Sequence, residues 1–105
     1  MTESLLVYMT APSAEVAADI ARAVVGERLA ACGNLLPGVR SIYRWKGEIC
    51  DDPEVLVLFK TTRATFERLR ARIVELHPYE CPEVIAADIV HGHAPYLEWV
   101  AGNVD

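Results

Sequence analysis

Cysteine is scarce in this sequence, and none of it is arranged for crosslinking: Cys32, Cys50 and Cys81 stand eighteen and thirty-one residues apart, with no Cys-x-x-Cys pair. An odd number at that spacing argues against a secreted disulfide scaffold, a zinc ribbon and a thioredoxin motif, so reduced thiols are expected. Long apolar runs are lacking as well. The longest, Leu5 to Met9 and Val55 to Phe59, are too short for a membrane span or the core of a secretory signal. No basic residue precedes the first run, so the expectation is a cytoplasmic protein with no membrane partner. Basic charge is the third shortage. Ten Lys and Arg against fifteen Asp and Glu leave a formal charge of −5, whose field repels phosphate backbones, and a nucleic-acid partner is not expected. Gly-x-Ser-x-Gly, P-loop and Rossmann glycine patterns are absent too, and Cys32 has no local companion that would mark it as a nucleophile. No enzymatic activity and no organic cofactor are expected.

What remains is a chain of 105 residues, 52% apolar, which suits one compact domain, residues 1–105, that buries roughly two thirds of its unfolded surface. Leu5 to Met9 reads as a strand, closed by Pro12, with Ser13 as a helix N-cap. Val16, Ile20, Val24 and Val25, with alanines at 17, 21 and 30, predict a helix over 14–31. Val39 to Lys46 alternates as a half-exposed strand does, with Val39, Tyr43 and Trp45 on one side. A polar reversal over 46–53 leads into the strand Val55 to Phe59. Thr61 or Thr62 caps the next helix, whose Phe66, Leu69, Ile73 and Leu76 form its stripe. Pro78 and Pro82 stiffen the connection that follows. Val84 to Val90 is the fourth strand, and Ala94 to Val100 a short closing helix. The order is βαββαβ plus a helix, an α+β ferredoxin-like sandwich with a four-stranded antiparallel sheet.

In such a sandwich two helices cover one sheet face, and the other is usually polar. Here the alternation fails. Leu5, Val7 and Met9 oppose Leu6 and Tyr8, and Val55, Val57 and Phe59 oppose Leu56 and Leu58. Apolar residues on both sides need a second cover. The closing helix, about two turns long, is too small for a four-stranded sheet, which favours a closed homo-oligomer.

Candidate chemistry concentrates in His77-Pro78-Tyr79-Glu80-Cys81-Pro82-Glu83, which sets an imidazole, a phenol, a thiol and carboxylates between prolines. The same residues also suit a helix stop that pre-extends a strand. The topology brings the end of the first strand beside the start of the fourth, so Met9, His77 and Cys81 can approach one another. A thioether, an imidazole and a thiolate suit copper rather than magnesium or calcium. His91-Gly92-His93 is a second, weaker metal candidate. Small copper chaperones of this topology carry a Met-x-Cys-x-x-Cys loop, which Met9-Thr10-Ala11-Pro12 is not. An RNA-recognition sheet would carry stacking aromatics and basic residues on its third strand, which Val55 to Phe59 lacks.

Several segments together resemble one family: Thr10-Ala11-Pro12, the run Glu27 to Cys32, the run Pro37 to Glu48, Phe59-Lys60-Thr61-Thr62, His77-Pro78-Tyr79-Glu80, Pro82-Glu83 and Tyr96-Leu97-Glu98-Trp99. The chain resembles the CutA divalent-cation-tolerance proteins. The resemblance implies a ferredoxin-like subunit in a tight homotrimer, a link to tolerance of copper and other divalent ions, and copper binding in some members, with no established catalysis. Copper ligands of some bacterial members fall at the positions of Met9, Leu76 and His77; only His77 is kept, Met9 is a soft substitute, Leu76 is no ligand, and Cys81 offers a third donor. The metal set implied is therefore His77, Met9 and Cys81. Cys32, Trp45, Lys60, Tyr79 and Glu83 are implied to line intersubunit clefts. The trimer is also similar in plan to PII-type signalling proteins, which gives an alternative function: a small-molecule sensor whose cleft uses Lys60, Tyr79 and Trp45 to hold an anionic effector.

Overall fold

A computed structural model describes residues 3–105. The elements run β1 (Ser4–Ala11), α1 (Ala14–Gly26), β2 (Cys32–Trp45), β3 (Glu48–Thr62), α2 (Phe66–Leu76), β4 (Ile85–Asp88) and α3 (Ala94–Gly102). The strands form one antiparallel sheet in the order β2-β3-β1-β4. This is the expected ferredoxin-like α+β sandwich.

Alternation divides the sheet into two faces. Leu5, Val7, Met9 and Ala11 of β1 and Val55, Val57, Phe59 and Thr61 of β3 are buried, packed with Ala17, Ile20, Ala21 and Val24 of α1 and Leu69 and Ile73 of α2. Period 2 in the strands meets period 3.6 in the helices, and that coincidence defines the core. Leu6, Tyr8, Leu56 and Leu58 point to the other face and are only half-buried. There α3 touches β1 and β3, and its Val100 is buried with Ala31 and Val104. Tyr96 and Trp99 stay exposed.

Several boundaries differ from the sequence reading. Ser13 caps α1 as expected, accepting from the Val16 amide at 3.2 Å, but the helix stops at Gly26 rather than Ala31. Arg28 takes the left-handed conformation (φ 62°), and the Leu29 and Arg28 amides donate back to the Val24 and Val25 carbonyls. This is a Schellman stop with arginine where glycine is usual. The Arg28 side chain repays part of the strain by bonding Asp105 at 2.8 Å and the Gly102 carbonyl at 3.0 Å.

β2 starts at Cys32, not Val39, and absorbs Pro37 and Gly38 in a register shift between Leu36 and Val39. A bulge is where a strand tolerates proline, and Gly38 supplies the positive φ of 82°. β3 likewise extends from Glu48 to Thr62. Its Pro53 lies beyond the Ala11↔Val55 pair that ends β1, so the missing N–H faces no neighbour. Chain reversal takes only Lys46 and Gly47, both at positive φ (50° and 83°), the signature of a type I′ hairpin turn. The N-cap position of α2 is Thr65, without a side-chain capping bond, rather than Thr61 or Thr62; Thr61 is buried in β3 and donates to the Leu29 carbonyl at 2.7 Å. β4 is shortened to Ile85–Asp88.

Candidate functional site

The β2–β3 hairpin projects beyond the body of the sheet, and its inner side faces the connection 77–83. Residues 41, 43 and 45 of β2 and 52 and 54 of β3 fall on that side by register. Thr10, Ser41, Ile42, Tyr43, Trp45, Glu54, Tyr79, Glu80, Cys81 and Glu83 line a cleft of about 560 Å³ between the two.

Two phenol–carboxylate bonds shape it. Tyr79 donates to Glu54 Oε2 and Tyr43 donates to Asp52 Oδ2, both at 2.6 Å. Burial first, and then the bond to Glu54, push the Tyr79 phenol well above the usual tyrosine range; the bond to Asp52 pushes Tyr43 up to about 12. Both hydroxyls therefore keep their protons at neutral pH and orient the carboxylates they serve. At the mouth, Lys46 Nζ stands 3.4 Å from Glu80 Oε2 and 5.7 Å from the centre of the Trp45 ring.

His77 anchors the connection to the sheet. It is 7% exposed, its Nε2 lies 2.8 Å from the Thr10 carbonyl oxygen, and its Nδ1 accepts from the Tyr79 amide at 3.1 Å. An Nδ1 that accepts and an Nε2 that donates define the neutral Nε2–H tautomer, with no lone pair free for an ion. Its ring packs against Tyr79 at 4.6 Å between centroids. Met9 precedes the carbonyl that His77 holds, but its side chain points to the opposite face and is fully buried in the core. Leu76 packs on the edge of that core. Cys81 is exposed at the cleft. The chain thus brings His77 beside the end of β1, as the topology predicts, while in a single subunit neither Met9 nor His77 presents a free donor. Among the described residues no group of three His, Cys, Asp or Glu is placed to hold a metal ion.

The other expected cleft residues divide into two places. Trp45, Tyr79 and Glu83 line the cleft. Cys32 and Lys60 form a separate cluster with Asn34: Lys60 Nζ lies 3.7 Å from Cys32 Sγ and bonds Asn34 Oδ1. Tyr96 of α3 joins them, its phenol raised by burial and the nearby thiol. Lys60 stands six residues from Glu54 on β3, about 20 Å along a strand. One subunit therefore does not place Lys60, Tyr79 and Trp45 around one anion. His91 and His93 lie past the end of β4, at the opposite end of the sheet from His77. His93 takes the N-cap position of α3 without a side-chain capping bond.

Sequence reasoning missed Glu54, Tyr43 and Asp52 as site residues. The available signal was alternation, which places Tyr43 with Trp45; the partner carboxylates emerge only from the hairpin's register.

A split βαβ sandwich with an acidic, aromatic cleft under a long hairpin defines the structural class. The family model described as "CutA1 divalent ion tolerance protein" matches residues 5–103, and the chain belongs to that family. It is 51% identical over 98 residues to the divalent-cation tolerance protein CutA of Thermus thermophilus, covering 93% of this chain and 95% of that one. It is 50% identical over 93 residues to human protein CutA, covering 89% of this chain and 52% of the human one. Among solved structures it superposes on the Thermus thermophilus protein with a TM-score of 0.94 at 49% identity, covering 97% and 99% of the two chains. For CutA from Xylella fastidiosa the TM-score is 0.96 at 38% identity, over 99% and 100%. No helix among the described residues is long and apolar enough to cross a membrane.

Proposed function

We propose that the protein is a non-enzymatic, cytoplasmic homotrimer that serves divalent-cation tolerance by binding copper or a related ion, with Cys81 as its open soft donor and the remaining ligands completed across a subunit boundary. The observation that carries this reading is the exposed Cys81 thiol at the cleft between Glu80 and Glu83, in a segment fixed by His77 and Tyr79. A thiol selects copper-class ions over magnesium or calcium, and among the described residues of one chain no group of three His, Cys, Asp or Glu is placed to close a site. His77 acts here as the anchor of the segment and becomes a ligand only if the ion displaces its bond to Thr10. Met9 remains a core residue.

Titration with Cu(I) and Cu(II), together with light scattering, tests the reading. The expected particle has three times the 11.6 kDa chain mass. Cys81→Ser lowers copper affinity or stoichiometry, while Met9→Leu leaves both unchanged. Undiminished copper binding in Cys81→Ser, or a stable particle of single-chain mass, refutes it.

A further inference from the structure

The cleft is built for a larger guest than a bare ion. Its volume, about 560 Å³, falls in the range of small-molecule sites. Tyr43, Trp45 and Tyr79 supply aromatic surface, and Glu54, Glu80 and Glu83 supply carboxylates, with no lysine or arginine among the lining residues. Acceptors outnumber donors. The two phenol hydroxyls are spent on Asp52 Oδ2 and Glu54 Oε2, and the second oxygen of each carboxylate has no protein donor among the described residues. Such a surface asks for a guest that brings N–H donors and positive charge.

The chain itself supplies a stand-in. The Lys46 ammonium lies 5.7 Å from the Trp45 ring centre and 3.4 Å from Glu80, within the reach of a cation–π contact. Its hold is weak: the Lys46 and Glu80 side chains are 69% and 72% exposed, and an ion pair so open to water contributes little. A mobile ligand can therefore displace it.

We propose that this cleft binds an organic ammonium ion of the alkyl-diamine class, one ammonium taking the place of Lys46 on Trp45 and Glu80 and the other reaching the inner carboxylates around Glu54. Lys46 is the intramolecular competitor for the site.

Calorimetric titration of the assembled protein with putrescine tests this, at near-physiological salt and with a chelator present, so that the outcome is independent of any metal. Saturable binding of putrescine is expected, with none for the neutral 1,4-butanediol. Trp45→Leu weakens it about two- to thirtyfold, the span of an exposed to a desolvated cation–π contact. Lys46→Asn, which suits the left-handed backbone there, tightens it. Glu83→Gln weakens it without changing the particle's mass. Absence of saturable binding overturns the proposal. So does unchanged affinity in Trp45→Leu, which would mean diffuse attraction to an acidic surface. Binding that appears only on dilution to single chains also overturns it, because a neighbour's basic side chain would then own the cleft.

Discussion

Replacing Tyr79 by phenylalanine removes one hydroxyl and leaves the ring against His77. The cost follows from what the hydroxyl serves. Glu54 is 9% exposed, and Tyr79 is its hydrogen-bond donor at 2.6 Å. A buried acceptor stripped of its donor loses about 1–3 kcal/mol, more when it is charged. At about 4–8 °C per kcal/mol for a domain of this size, Tyr79→Phe should melt roughly 10 °C below the parent. Both must be measured at one protein concentration, since the proposed self-association would make the melting temperature concentration-dependent. The pH dependence adds an independent check. Burial and Glu54 raise the phenol's pKa in the fold above its ordinary value of 10.0. A group raised in this way contributes stability that is complete below its unfolded pKa and is lost as pH climbs from there through the folded value. The gap between parent and Tyr79→Phe should therefore be constant from neutrality to about pH 10 and then close in more alkaline solution. A double-mutant cycle with Glu54→Gln should show coupling of about 0.5–3 kcal/mol. A loss under about 0.5 kcal/mol, the scale of ordinary surface changes, or a gap that persists above the folded pKa, refutes the assignment of this bond as the clasp of the cleft.

Two further outcomes probe the frame that carries the site. Phe59→Ala opens a cavity in the centre of the core, where Phe59 is fully buried, and should cost about 3–5 kcal/mol in urea unfolding, with little change in the denaturant slope. Gly47→Ala places a Cβ at φ +83° in open space, so backbone strain alone decides it; a loss of about 1–2 kcal/mol is expected in the same assay, with the hairpin turn retained.

Periodicity made the buried stripes of α1, α2, β1 and β3 legible, because burial on one side is written directly into residue spacing. The ends were less legible wherever tertiary pairing overrode local punctuation. Gly33 lies outside the strand expected over 39–46, yet it pairs with Phe59 in the ladder. A Cβ on Gly33 would sit 3.0 Å from the Phe59 ring, so the glycine serves close packing rather than a turn. Pro37 precedes the strand expected from Val39 and Pro53 falls in the expected reversal over 46–53, yet a bulge and a locally unpaired edge accommodate both inside strands. At the site, family resemblance pointed to Trp45, Tyr79 and Glu83. It also implied Lys60 and Cys32 for clefts between subunits; within one chain these two lie at a different part of the sheet from Trp45, Tyr79 and Glu83. Met9 was read as a ligand from its position beside His77, but the strand's alternation sends its side chain into the core.

The bulge at Pro37 and Gly38 joins the fold to the function. Beyond it β2 and β3 leave the support of β1, and the hairpin continues as an arm; the Cα radius of gyration of 14.1 Å exceeds the roughly 13 Å of a compact chain this long. Ile42 and Ile49 on the arm are 66% and 62% exposed, an arrangement that favours contact with another surface. The same arm carries Tyr43, Trp45 and Glu54, one wall of the cleft, while the other wall belongs to a connection tied to the body through His77 and Thr10. Two bridges cross between the walls: the part-buried Tyr79–Glu54 bond and the solvent-exposed Lys46–Glu80 pair. The cleft's width is therefore set by the angle of the arm, and a partner that clamps Ile42 and Ile49 also fixes the distance between Trp45 and the carboxylates opposite it. In the proposed trimer with a ligand in the cleft, association and binding would share one mechanical element, each stabilising the geometry that the other requires.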